Sequence, residues 1–296
     1  TGISLPSNRF NRFDFELTWS QIQYSVMQRD DPYTNTFTTV YEKRLNSVLP
    51  AVSWVFDNSV YGYTGPVDGY RQNVRFVTSP KISDDGLAFN TITLDSRKYY
   101  RFKRDYSLAG RILLGTSFGA DAQKFMLGGI PNWVFGYGET NGVKDDGSYR
   151  QSILSSDNED NLLKEAYFSV FAMPIRGTRY YERFGTNVAL MNLEVRFPFI
   201  NYFALGFPLK MIFANIRGHA FLDMGASWDD WGELSNPLLM KDKYNTDETL
   251  KPVISSFGYG IKINLGYFLL RIDSAWDINA NGYSKPQYYF SLGPDW

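Results

Sequence analysis

The 296-residue chain is 17% aromatic, with 21 Tyr, 23 Phe and 7 Trp, yet its mean hydropathy is −0.31 and 21% of it is charged. A formal net charge of −1 with no long block of like charge gives nucleic acid no footing, and the lack of cysteine excludes disulfide scaffolds, thiol catalysis and zinc–thiolate sites. No run of roughly 18 apolar residues occurs, which excludes a helical membrane span; amphipathic strands with rings at a membrane–water interface fit this combination.

In chain order, strand-like segments are predicted near 12–27, 43–57, 67–78, 88–103, 106–118, 122–128, 187–199, 209–228, 253–264, 267–277 and 287–296. These make about eleven strands, with no convincing amphipathic helix. Alternation is clearest late in the chain: Phe268, Leu270, Ile272 and Trp276 share one face, and Arg271, Asp273 and Asp277 the other. Over 256–264 an outward set of Phe257, Tyr259, Ile261 and Ile263 opposes Ser256, Gly258, Gly260, Lys262 and Asn264, small residues there letting backbone or a loop approach.

The connections are asymmetric. Gly266 alone separates two strands, whereas 129–186 and 229–251 are long and polar, the pattern of outer-membrane barrels with short periplasmic turns and long external loops. With the C-terminus periplasmic, 129–186, 229–251 and 278–286 all fall outside the cell. A soluble β-sandwich also alternates, but its strands are shorter and it hides its rings. The expected fold class is therefore all-β, a transmembrane antiparallel β-barrel forming one domain over 1–296. An odd strand count, against the even counts of bacterial barrels, predicts that the first strands and any N-terminal periplasmic domain precede Thr1.

Three stretches exceed generic barrel pattern: Pro174-Ile175-Arg176-Gly177-Thr178, Leu190-Met191-Asn192-Leu193-Glu194-Val195-Arg196-Phe197-Pro198, and Ala220-Phe221-Leu222-Asp223-Met224-Gly225. Parity sets Asn192, Glu194 and Arg196 on one face, which must be the lumen, and groups Arg217, His219, Phe221 and Asp223 on the next strand. The closing strand runs Tyr288-Tyr289-Phe290-Ser291-Leu292-Gly293-Pro294-Asp295-Trp296 and ends on an aromatic. Gly293 and Pro294 weaken ladder pairing there, so an imperfect seam is predicted at 287–296.

In order and spacing these motifs resemble the BamA/TamA superfamily of outer-membrane assembly and translocation barrels, the bacterial surface antigen family. That resemblance implies a complete barrel of about sixteen strands whose long external loop, here 129–186, folds into the lumen. It implies that Arg176 meets Glu194 and Asp223, beside Phe221, with Gly177 letting the loop turn. Two readings of the trio overlap, a latch that fixes the loop and shapes the pore, and a structural ion pair that stabilises a wide barrel. Thr178 departs from the family's aromatic after Arg-Gly, although Tyr180 and Tyr181 follow. A second resemblance, to barrels fused behind a TolB-like β-propeller, rests on Asp57-Asn58, Gly62, Gly65-Pro66, Gly69 and Phe125-Met126-Leu127-Gly128-Gly129.

No enzyme, cofactor or metal site is expected. The one histidine, His219, reads as a lumen residue rather than a catalytic base, Asp84-Asp85 and Asp229-Asp230 read as solvated turn charge, and 140–164 reads as an external excursion. The mixed charges of Asp95, Arg97 and Arg101 also suit a passive porin-like channel, and a membrane anchor or conduit for a partner domain is a third reading. The resemblance implies a location in the bacterial outer membrane and a weakly paired seam at Tyr288, Phe290, Leu292, Gly293 and Trp296. Outer-membrane lipids and lipopolysaccharide, unfolded outer-membrane or exported polypeptides, and periplasmic or lipoprotein factors are the partners it suggests.

Overall fold

The computed structural model describes residues 1–29, 37–131, 133–137, 168–172, 174–204, 212–239, 251–265, 268–279 and 282–293. Its strands are β1 (Gly2–Pro6), β2 (Asn11–Arg29), β3 (Phe37–Asp57), β4 (Val60–Gly62), β5 (Gly65–Ser79), β6 (Phe89–Lys103), β7 (Tyr106–Phe118), β8 (Phe125–Leu127) and β9 (Trp133–Tyr137). They continue with β10 (Val170–Ala172), β11 (Arg183–Gly185), β12 (Asn187–Ala204), β13 (Ile212–Trp228), β14 (Ile254–Asn264), β15 (Leu269–Asn279), β16 (Gly282–Tyr283) and β17 (Gln287–Leu292). A five-residue helix, α1 (Trp231–Ser235), capped by Asp230, interrupts the segment read as an irregular loop.

Twelve strands follow one another in one sheet, in the order β1, β2, β3, β5, β6, β7, β12, β13, β14, β15, β17, β9. Neighbours among the first eleven are antiparallel, and among the described residues β1 and β9 stand at the two ends.

The two faces of the sheet differ as a membrane barrel requires. Outward alternation leaves apolar side chains such as Leu108, Ile112, Leu114, Val195, Tyr259 and Ile272 exposed, while charged residues lie inside. A soluble fold would arrange these the other way round. Rings mark both ends of the apolar band. Phe10, Phe56 and Tyr70 lie in series at 6.4 and 5.9 Å beside the short hairpins, and Phe257, Trp276 and Tyr283 gather at the long-loop end.

One expectation changes. The segment 122–128, read as a wall strand, supplies only β8, which lies in a separate three-stranded sheet between β10 and β11. Phe125, Met126 and Leu127 are all buried, so neither face is available to lipid. This small sheet packs inside, Phe125, Leu127, Ala172 and Ile175 meeting Val188 and Leu190 of β12 and Ile254 of β14. Gly258 and Gly260 admit the close approach of backbone, and of side chains besides: a Cβ at Gly258 would strike Ser274 O and the Phe221 ring, and one at Gly260 would strike Ile272 O and the Asp273 carboxylate and lie 2.8 Å from the His219 ring. The readings placed on Gly266, on 140–164 and on Pro294 to Trp296 lie outside the described residues.

Candidate functional site: a lumen loop held against the wall

Strands β12 and β13 pair so that Asn192 faces Asp223 and Glu194 faces Phe221 across the ladder. Because side chains alternate with period two, Asn192, Glu194 and Arg196 are buried on the inner face while Leu193 and Val195 are 37% and 42% exposed on the outer one. On β13 the inner set is His219, Phe221 and Asp223. Neighbouring strands thus line one patch of lumen with two carboxylates and a ring.

The loop brings its cation to that patch. Arg176 is fully buried, its Nε and Nη2 donating to Asp223 Oδ2 and Oδ1 at 2.8 and 2.9 Å and its Nη1 to Glu194 Oε2 at 3.0 Å. Its backbone N–H also donates to Asp223, at 3.1 Å, and the guanidinium lies 3.5 Å over the Phe221 ring. A planar fork satisfies both oxygens of one carboxylate while still reaching a second, which the point charge of lysine cannot do. Asn192 completes the grip, its amide donating to Pro174 O and Asp223 Oδ1 at 2.8 and 2.9 Å.

Several participants are not singled out by the sequence. Glu194 also accepts from Arg196 Nε at 2.6 Å and from Lys262. Arg271 Nε pairs with Asp273 at 2.8 Å, and Asp273 accepts or shares a hydrogen with His219 Nε2 at 2.7 Å. Four cations (Arg176, Arg196, Lys262, Arg271) therefore face three carboxylates (Glu194, Asp223, Asp273), with His219 between them. Parity alone marks all of these as inward. What sequence lacks is which inward residues lie level across four strands. Asp95, expected in a mixed-charge lumen, binds Arg97 and Arg111 at 2.7 and 2.9 Å, whereas Arg101 is exposed. Of the paired turn carboxylates, Asp229 binds Lys124 at 2.7 Å and Asp230 caps α1.

Thr178 occupies the position where the resemblance implies an aromatic. It is buried, its hydroxyl donating to Ile175 O at 2.8 Å and accepting from Gly129 N at 3.2 Å, so it closes the turn that presents Arg176. The ring contribution comes from Tyr180, which covers Gly129 and donates to Ile130 O. Burial pushes the Tyr180 hydroxyl up to about 12, keeping it a neutral donor.

The same turn reaches the closing strand. Gly177 N donates to the Tyr289 hydroxyl at 3.2 Å, which in turn donates to Gln287 at 2.7 Å, and Ile130 packs with Phe221, Ala275 and Tyr289. Tyr288 and Leu292 point outward, 49% and 37% exposed, and Phe290 is half-buried. Gly293 has φ +122° and donates its N–H to Leu269 O at 2.9 Å, while Trp296 lies outside the described residues. Strand β17 is not paired with β1 among the described residues; its partners are β15 and β9.

Gly177 adopts φ +84°, and a Cβ there would lie 3.0 Å from that of Ala275. Gly177→Ala is therefore expected to cost about 1–2 kcal/mol from the left-handed backbone alone, read as a lower temperature for the shift from folded to unfolded mobility in unboiled gels. Gly282→Ala, also at positive φ but with nothing within 4 Å of the added Cβ, separates backbone strain from the close contact.

The Omp85 superfamily domain matches residues 1–296. Among solved structures, BamA from Haemophilus ducreyi lacking POTRA domains 1–3 is similar, with a TM-score of 0.59 and 14% sequence identity over 99% of this chain and 53% of that one. The chain thus spans about half the length of that structure. No curated protein matches it in sequence.

Proposed function

The chain belongs to the Omp85 superfamily, and from that premise we propose that it works as a non-catalytic assembly or translocation barrel in the bacterial outer membrane. The observation that carries this reading is the buried fork of Arg176 on Glu194 and Asp223. It ties an inward-folded loop to the wall, and through Gly177 and Tyr289 ties the same loop to the closing strand. A passive pore needs charged walls but has no use for a loop coupled to its last strand.

In this reading Arg176, Gly177, Phe221, Glu194 and Asp223 form a latch, and β17 offers an edge at which an unfolded outer-membrane or exported polypeptide pairs or passes. Lipids meet the exposed apolar band, and periplasmic or lipoprotein factors act from the short-hairpin side. A propeller ahead of the barrel, suggested by 57–69 and 125–129, belongs to the same proposal.

Depleting the protein from its native outer membrane should lower the folded yield of other outer-membrane barrels or the export of a client. Arg176→Ala at matched protein level should reproduce the defect. Altered ion conductance with folding and export undiminished would instead favour a porin-like channel.

A further inference from the structure

The end of the sheet at β17 is occupied by the chain itself. β9 leaves the lumen loop and pairs antiparallel with β17, Tyr137 opposite Tyr288, Gly136 opposite Tyr289 and Phe135 opposite Phe290, before the register shifts to set Trp133 opposite Ser291. The path is short. Ile130 is buried on the inner side against Tyr289 and Ala275, Pro131 is an exposed turn residue, and by Trp133 the backbone lies along the far edge of the same strand. The loop grips β17 from within and then fills its open hydrogen-bonding edge.

We infer that residues 133–137 are a stand-in strand that guards the pairing edge of β17 and yields it to an incoming extended polypeptide. This rests on the proposed function and adds the chemistry of what the edge accepts. An unpaired edge invites indiscriminate addition of other strands, and recognition at an edge works through the backbone ladder with side-chain preference at alternate positions. The resident segment, Trp133-Val134-Phe135-Gly136-Tyr137, sets that preference: uncharged, with aromatics at every second position.

Its hold is suited to exchange. β9 makes four register pairs, one across a shift, whereas β12 and β13 make sixteen. Tethering supplies an effective concentration that excludes short or transient strands, while a longer segment in unbroken register gains more ladder than the guard loses. The guard begins three residues after Ile130, and Gly129 just ahead of it is bridged to Ile175, the neighbour of Arg176.

Residues 1–296 contain no cysteine, so an introduced pair reports cleanly on the seat. In the full-length protein in outer-membrane vesicles, Tyr137→Cys with Tyr288→Cys should form a disulfide on mild oxidation, since facing Cα atoms in an antiparallel pair lie within disulfide reach. Tyr137→Cys with Leu292→Cys, four residues out of register, should not. The probe is a synthetic peptide carrying two copies of Trp-Val-Phe-Gly-Tyr, a lysine tail and a diazirine. Its photocapture by β17 should fall about tenfold on oxidation and return with reductant, the locked guard no longer exchanging.

Absence of the 137–288 disulfide overturns the guard and leaves the proposed function to its own assays. A disulfide with capture unchanged by oxidation overturns the competition. A disulfide with no capture in either state, and none when 133–137 is replaced by Gly and Ser, counts against client pairing at this strand and so against the proposed function as well.

Discussion

Arg176→Ala is expected to lower the unfolding free energy of the barrel by about 3–5 kcal/mol, the cost of removing one partner from a buried ion pair. Alanine would strand Asp223, which binds no other cation among the side-chain contacts described, while Glu194 keeps Arg196 and Lys262. The penalty should therefore concentrate on one carboxylate. Asp223→Asn in the Arg176→Ala background should recover part of the loss, because the stranded charge is gone even though the hydrogen bonds are not restored. Arg176→Lys should fall between the two, keeping charge without the fork. Urea unfolding in detergent, read by tryptophan fluorescence and by unboiled gel mobility, measures all three. Wild-type stability in Arg176→Ala, or strict additivity with Asp223→Asn, would show that the fork bears no weight.

That outcome would also separate the two overlapping roles assigned to the trio. If the guard at 133–137 depends on the latch, Arg176→Ala should reduce disulfide yield between positions 137 and 288 under conditions where the barrel remains folded. A purely structural ion pair would lower stability and leave that yield unchanged.

What can be read from sequence follows from periodicity. Strands β12 to β15 alternate with one face in lipid and one in the lumen, so parity turns Asn192, Glu194 and Arg196 of one strand and Phe221 and Asp223 of the next toward the same interior, and the family resemblance brings Arg176 to Glu194 and Asp223. The same rule reaches Lys262 and Arg271 but gives no reason to group them with Glu194, because level across strands depends on a shear that no single strand encodes. Parity also explains why Tyr289 does not stand out. The residues chosen on the closing strand, Tyr288, Phe290 and Leu292, are the outward set, and the hydroxyl that meets Gly177 belongs to the residue between them.

The loop is less legible. β8, β10 and β11 are three residues each, and β8 is buried on both faces, so these segments lack the alternation that marks a wall strand and 122–128 reads wrongly as one. β9 is five residues with no apolar–polar alternation, its partner lies about 150 positions later in the chain, and long-range pairing leaves no local trace. Gly258 and Gly260 read as points of close approach, but which groups approach them, the Phe221 and His219 rings of β13 and the Ser274 and Ile272 carbonyls of β15, is set by the register of β14 against its two neighbours.

Ile112→Arg is expected to cost about 2–4 kcal/mol although Ile112 is 49% exposed, as Arg does on the lipid face near the bilayer midplane of a transmembrane barrel. Ile112 lies at the middle of β7 and its neighbours on the ladder are Ser96 and Met191, so no lumen charge is within the same face to receive a guanidinium. At a solvent-exposed position of a soluble protein the same change would stay within about 0.5 kcal/mol. Phe102→Arg, beside the short hairpin and the ring pair of Phe102 with Tyr106, should cost about 1 kcal/mol or less because the side chain reaches the headgroups. Folding into vesicles of graded urea concentration gives both values. A depth dependence of this sign follows only from an apolar band that faces hydrocarbon; equal, small effects at both positions would mean that these strands face water, and the inside-out distribution of charge would need another cause.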